Sequence, residues 1–191
     1  MNAIEEMTAE HRAIEIVIKS LPDAVTALDR GRLNVQKLRG VGEFLRDYAD
    51  RRHHQREEGI FFPILVRRGV PGQGCPIGGL NNEHEKGRAL VTTLEECIMR
   101  YTRQEAGADA ALRRTLQEIA QLYKKHLWME DAMVFPMAER LLTEADNREL
   151  KEKFAELDRQ IGPEVIMRHE QFAGSLSFDT RAGVAPGSST F

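Results

Sequence analysis

One pattern of eleven residues occurs twice in this chain. The first copy, HHQREEGIFFP, begins at His53, and the second, HLWMEDAMVFP, begins at His126, so that His, Glu, Phe and Pro recur at identical offsets. Residues four positions apart lie one above the other on the same face of an α-helix. The pattern therefore predicts two helices, one pairing His53 with Glu57 and the other pairing His126 with Glu130.

Apolar residues at spacings of three and four, which are typical of a buried helix face, run along most of the chain. Turn residues divide them into four long predicted helices at about 3–29, 34–66, 81–105 and 109–142. An additional C-terminal helix is predicted at about 144–177, broken or kinked at Gly162-Pro163, and a flexible tail at 179–191. No run of alternating β-branched residues indicates a strand. We expect one all-α domain over 1–178, built on an antiparallel up-down four-helix bundle.

The composition argues against several classes of protein. A net charge of -3 gives no reason to expect a nucleic-acid partner. No apolar run approaches the roughly 20 residues that span a bilayer, and the acidic N-terminal sequence is unlike a signal peptide. Two cysteines are too few for a disulfide framework. We expect a cytoplasmic protein without a membrane or nucleic-acid partner, and the sequence leaves its oligomeric state open.

The two other bundle helices each carry a histidine within their apolar periodicity. Burying imidazoles and carboxylates without partners is costly, and bound metal ions would remove that cost. Nitrogen and oxygen donors without thiolate suit a pair of iron or manganese ions, whereas zinc would not need two bridging carboxylates. The candidate metal ligands are His11, His53, Glu57, His84, His126 and Glu130.

This order of residues, with Phe-Pro closing both repeated motifs, resembles the hemerythrin-like HHE cation-binding domain. The resemblance covers residues 3 to about 140. It implies an up-down four-helix bundle around a non-haem diiron centre, in which an oxo or hydroxo group joins the irons and Glu57 and Glu130 are the bridging carboxylates.

Arg88 is the main departure from that family pattern. Oxygen-carrying hemerythrins usually have a second histidine in the third helix, four residues after the position of His84, and Arg88 stands there. The iron held by His84 and His126 is therefore predicted to stay open or to recruit another ligand, such as Tyr123. The departure argues against reversible O2 carriage.

Three further residues are candidates for the site or its surroundings. His54 points away from His53 on an ideal helix, but some relatives ligate iron with the residue at this place, so a ligand of the iron of His11 and His53 is one reading of His54 and a position outside the ligands is the other. Tyr123 could donate a hydrogen bond near the metals or bind as a phenolate. His169, on the fifth helix, is expected to be exposed, with a ligand or pocket role as the alternative.

Four residues near the motifs have less direct roles. Glu58 and Asp131, which follow the bridging pair, are expected to lie outside the ligands or in solvent. Trp128 is expected to be an ordinary core residue, with the wall of an apolar pocket as the alternative. Cys75 is expected to be a small buried hydrophobic residue or an unreactive loop thiol, with a redox role as the alternative.

The leading functional hypothesis is a cytoplasmic diiron protein that binds or reacts with a small oxidant: peroxide, O2 or nitric oxide. A catalase-like activity would use redox cycling of the two irons, although the sequence does not establish an enzyme. The alternatives are a module that senses O2, nitric oxide or iron, and a protein that handles iron or repairs iron centres. An absorption spectrum followed during titration with these oxidants would discriminate among them.

Overall fold

A computed structural model of the chain describes residues 2–180, and within this range the secondary structure is helical without a strand. The α-helices are α1 Ala3–Asp29, α2 Val35–Phe44, α3 Phe62–Arg67, α4 Ile77–Thr102, α5 Ala108–Met129, α6 Phe135–Leu141, α7 Glu144–Ile161 and α8 Pro163–Ser175. Three π-helical segments accompany them: π1 Leu45–His54, π2 Glu57–Phe61 and π3 Glu130–Val134. The chain is therefore all-α, as predicted.

The helix boundaries follow local sequence signals. Asn2 caps α1 and Thr143 caps α7, each through a capping box in which side chain and backbone exchange hydrogen bonds. The predicted second helix corresponds to the run from α2 to α3, and the predicted fourth to the run from α5 to α6, but π-helical segments interrupt both. The tail predicted at 179–191 lies outside the described residues from 181 onward.

Of the two alternatives predicted for the C-terminal helix, a break and a kink, the structure has the break, which gives two helices, α7 and α8. Gly162 separates them with a φ of 98°, a left-handed conformation that glycine adopts without steric cost. Pro163 then begins α8, where its missing N–H removes no helical hydrogen bond. The break allows α8 to pack against α1 while α7 lies against α1, π1 and π2.

A buried polar layer separates two apolar clusters in the core. Along α1, Met7 belongs to one cluster and Ile14 to the other, with buried His11 between them. The run from α5 to α6 crosses the same layers in the opposite direction: Leu127 precedes and Val134 follows the buried Glu130. The apolar layers above and below therefore hold the polar side chains away from water. None of the helices among residues 2–180 is long and apolar enough to cross a membrane.

Candidate metal centre

Both repeated motifs lie where the helix widens into π-helical turns. His53 and His54 end π1, Glu57 begins π2, and Glu130 begins π3. A π-helical turn, with hydrogen bonds from residue i to i+5, holds more residues per turn than an α-helix and is frequent at functional sites. The wider winding lets the adjacent His53 and His54 both point inward, and both are buried. An ideal α-helix would separate neighbouring side chains around its axis.

The six predicted ligands meet in the polar layer, together with His54. Each of three groups has donor atoms within 4.8 Å of one another and could hold a metal ion: His11, His53, Glu57 and Glu130; Glu57, His84, His126 and Glu130; and His54, His84 and His126. We call His11 and His53 the two-histidine half, and His54, His84 and His126 the three-histidine half. Glu57 and Glu130 belong to groups in both halves.

Each shared carboxylate faces one histidine from either half. Oε2 of Glu57 lies 3.7 Å from Nε2 of His53 and 3.3 Å from Nε2 of His84. Oε2 of Glu130 lies 3.3 Å from Nε2 of His11 and 3.2 Å from Nε2 of His126. Each of the two carboxylates therefore lies between the two halves.

The buried atoms that face the centre fit a bound cation. All four carboxylate oxygens of Glu57 and Glu130, and Nε2 of His54, His84 and His126, are buried without a hydrogen-bond partner among the described residues. Each such atom costs about 1–3 kcal/mol when it is left unsatisfied. Positive ions bound among these donors would satisfy them. We conclude that the donor set is suited to metal.

A carboxylate contacts the outer nitrogen, Nδ1, of every inward-facing histidine. The pairs, with their Nδ1–oxygen distances, are His11 and Asp131 at 2.8 Å, His53 and Glu10 at 2.8 Å, His54 and Asp50 at 3.2 Å, His84 and Glu58 at 2.6 Å, and His126 and Glu83 at 3.3 Å. Such contacts favour the tautomer with its proton on Nδ1, so that the Nε2 lone pair faces the centre as a metal ligand. Glu58 and Asp131 lie outside the ligands, as predicted.

Burial and like charge set the electrostatics of the centre. Burial raises the pKa of Glu57 well above its usual range, and the neighbouring carboxylate of Glu130 raises it further. Burial opposes charge on Glu130 too, but His126 and His11 outweigh it and lower that pKa. Burial lowers the pKa of His53 to about 4 despite its contact with Glu10. Two carboxylates this close need a cation to be charged together, and neutral imidazoles are the form that binds metal.

A comparison with known families agrees with this geometry. Residues 2–138 match the sequence model of the hemerythrin HHE cation binding domain. The chain belongs to this hemerythrin family.

Relatives at the level of whole proteins are distant. The chain is similar to uncharacterized proteins of Mycobacterium bovis and of two strains of Mycobacterium tuberculosis, with 23% identity over 159 residues. The matched region covers 81% of this chain and 60% of each relative, so the chain spans about 60% of their length. No solved structure matches the chain.

His54 lies in the other half of the centre from the one that its sequence position suggested in this hemerythrin-family chain. One reading placed it beside His11 and His53, but its ring stacks on that of His84 with centroids 3.9 Å apart, and its Nε2 lies in the same group of donor atoms as those of His84 and His126. Of the two alternatives for the His84–His126 half, an open position or a ligand recruited from elsewhere, this placement favours a recruited ligand. His54 stands where that half would otherwise need a donor.

Arg88, the departure from the oxygen-carrier pattern, contacts the carboxylates that hold this half. Its Nε donates to Asp50 at 2.9 Å and its Nη2 donates to Glu58 at 2.6 Å. Those carboxylates are the partners of His54 and His84. Arg88 therefore neutralises charge one contact away from the histidines and does not reach the centre itself.

The two-histidine half has a buried ion network behind it. Glu10, the partner of His53, also contacts Arg52 at 3.4 Å and Arg56 at close range. Both arginines bind Asp158 of α7, at 3.0 Å from Arg52 and 2.7 Å from Arg56. The helix α7, which follows the family-matched region, is thus connected to His53 through Glu10.

Tyr123 lies close to the three-histidine half. Its ring lies 6.0 Å from that of His54 and 6.3 Å from that of His126. Burial raises the pKa of Tyr123 well above its usual range, which works against a phenolate ligand.

Two expectations for other side chains are wrong. His169 is buried, not exposed, because α8 packs it against Phe44 and Tyr48, and it belongs to none of the metal-holding groups. Trp128 is not a core residue, since 62% of it is exposed. Cys75 is an exposed free thiol.

Proposed function

We propose that this protein is a non-haem diiron protein that reacts with a small oxidant, peroxide foremost. The observation that carries the proposal is the donor set: five inward-facing imidazoles, two shared carboxylates and no thiolate. Imidazole and carboxylate donors suit iron, whereas thiolates suit the metals that prefer softer ligands. Carboxylates shared between two groups of donors suit a pair of metal ions. The four long helical segments would form the up-down bundle that holds this centre, and a cytoplasmic location fits the sequence.

The unequal halves indicate where an oxidant would enter. Glu57 and Glu130 group with two histidines in each half, and His54 adds a third histidine to the half of His84 and His126. Iron commonly takes up to six donors, so the half with fewer protein ligands is the better place for an exogenous one. We therefore assign oxidant binding to the side of His11 and His53. A bound pair of irons would supply the redox equivalents.

The surrounding side chains restrict what reaches the centre. Phe135 stacks on His11 with ring centroids 5.0 Å apart, and Phe62 stacks on His84 at 6.2 Å. Both phenylalanines are buried, as are all the histidines of the centre. This packing keeps bulk water out and favours small, uncharged molecules such as hydrogen peroxide, O2 and nitric oxide.

Reversible O2 binding is the second candidate, and one observation favours it. Arg88 argued against O2 carriage because a histidine was missing from one half, but His54 restores three histidines there. One half can then be filled by protein while the other meets the ligand. The two candidates differ in what happens after contact with O2 and peroxide.

Iron-loaded protein tests the proposal directly. We expect two irons per chain after iron-replete expression, an oxo-bridged diferric absorption spectrum, and peroxide consumption above that of free iron at the same concentration. A long-lived, reversible O2 spectrum without peroxide consumption would favour the second candidate. Well under two ions of any metal per chain would contradict both.

A further inference from the structure

A groove of about 870 Å³ lies between α1 and α5, beside the two-histidine half. Its volume is within the range of about 300–1,000 Å³ typical of small-molecule sites. Buried Ile18 and Leu127 contribute apolar walls, and His11 and Asp131 lie at the end nearest the centre. The groove is separate from the donor atoms, because His11 faces them with Nε2 and faces Asp131 with Nδ1.

The charges along the groove are not balanced. Of its carboxylates, Glu15 pairs with Lys19 at 2.8 Å and Asp131 contacts His11. Arg12 on α1 and Lys124 on α5 also line it, and neither has an ion-pair or hydrogen-bond partner among residues 2–180. The two helices that form the groove therefore each present a free cation to it.

An aromatic side chain completes this lining. Trp128, the only tryptophan in the sequence, lines the groove with 62% of its surface exposed. A large indole left in solvent is costly, and it stacks well on another planar ring. A ring stacked on Trp128 would lie within the same groove as the cations of Arg12 and Lys124.

We propose that this groove binds a small planar aromatic anion, such as a ring system that carries a carboxylate, sulfonate or phosphate. Its ring would stack on Trp128 and its charge would be balanced by Arg12 and Lys124. The assignment does not depend on the proposed iron chemistry, because none of these three side chains faces the metal donors.

A matched pair of fluorescent probes tests the proposal on the full-length, metal-loaded protein. The anionic probe is 8-anilinonaphthalene-1-sulfonate, and the neutral one is N-phenyl-1-naphthylamine, which has the same rings without the sulfonate. We expect one anionic probe per chain, energy transfer to it from Trp128, and weaker binding of the neutral probe. Neutral binding as tight as anionic binding, or no energy transfer, would overturn the proposal.

Variants of exposed residues locate the binding. Replacing both cations (Arg12→Ser with Lys124→Ser) removes two exposed ionic contacts and should lower the affinity for the anionic probe by about tenfold. The affinity for the neutral probe should not change. Lys86→Ser with Arg114→Ser removes the same charge from exposed positions that do not line the groove, and should change neither affinity. Trp128→Ala should weaken both probes. If the two double variants lost equal affinity for the anionic probe, binding would depend only on the net charge of the protein, and the proposal would be overturned.

Discussion

In the two-histidine half, His53 is held by Glu10, which is 3% exposed and contacts two buried arginines. In the three-histidine half, His84 is held by Glu58, which is 32% exposed and contacts Arg88 near the surface. The carboxylate that contacts His53 is thus surrounded by buried side chains, whereas the carboxylate that contacts His84 lies near solvent. Ionic contacts are stronger and less screened where water is excluded.

The interior anchor belongs to the half with fewer histidines, but only at His53, because Asp131, which contacts His11, is 48% exposed. Part of the support for His53 comes from Asp158 on α7, beyond the family-matched residues 2–138. A half with three histidines holds its geometry through its own ligands. We infer that the two-histidine half relies more on surrounding side chains, and the following predictions test this from the largest expected effect to the smallest.

Replacing a shared carboxylate should affect both halves at once. In Glu130→Ala, the side chain that faces His11 and His126 is lost, so both ions should leave or become disordered and the thermal stability gained from metal should disappear. Metal analysis and the visible spectrum measure this. Glu118→Ala, an exposed position on α5, is the control and should keep both ions. A Glu130→Ala protein with two irons and a normal spectrum would show that this carboxylate does not bridge.

His54→Ala separates the two halves. It removes one of three histidines from its half, so one ion should bind at least about 100-fold more weakly while the other is retained. Metal titration of the variant should show one step displaced and one unchanged. His54→Ala combined with His84→Ala should then affect the same ion, whereas His54→Ala combined with His11→Ala should affect both. The reverse pattern would return His54 to the half with His11, where one reading of the sequence placed it.

The sequence was sufficient to predict that the six candidate ligands lie together, because their positions follow helical spacing. His53 with Glu57 and His126 with Glu130 are four residues apart, and that offset still places them together in the structure. The place of His54 could not be predicted because α-helical geometry sends adjacent residues in different directions, and no residue type at this site indicates a π-helical turn.

The contacts around the ligands were harder to predict for a different reason. Asp50 lies four residues before His54 and could have been found from helical spacing. Glu10 and Glu83 contact histidines on other helices, and that pairing depends on how neighbouring helices are aligned. The burial of His169 likewise depends on the packing of α8, which its own sequence does not determine.

Glu10→Gln tests the interior anchor. The amide keeps the shape of the side chain but leaves Arg52 and Arg56 with less compensating charge in the interior. We expect the metal-free protein to lose about 3 kcal/mol of unfolding free energy, and metal affinity to fall about 10–100-fold. Denaturant unfolding and metal titration measure the two effects. Glu6→Gln, at a less buried position of α1, is the control. An unchanged metal affinity would show that Glu10 stabilises the fold without positioning His53.

Arg88→Gln tests the anchor near the surface and should have the smallest effect. Asp50 and Glu58 lose a cation, but both carboxylates are partly exposed, so water and dissolved salt can replace much of that interaction. We expect a loss of no more than about 1 kcal/mol in unfolding free energy and a metal affinity reduced less than in Glu10→Gln. Raising the salt concentration should narrow the difference in unfolding free energy between Arg88→Gln and the unmodified protein. The corresponding difference for Glu10→Gln should stay almost unchanged. Equal losses in the two variants, or equal responses to salt, would mean that burial does not distinguish the two halves, and the number of histidines would then be their main difference.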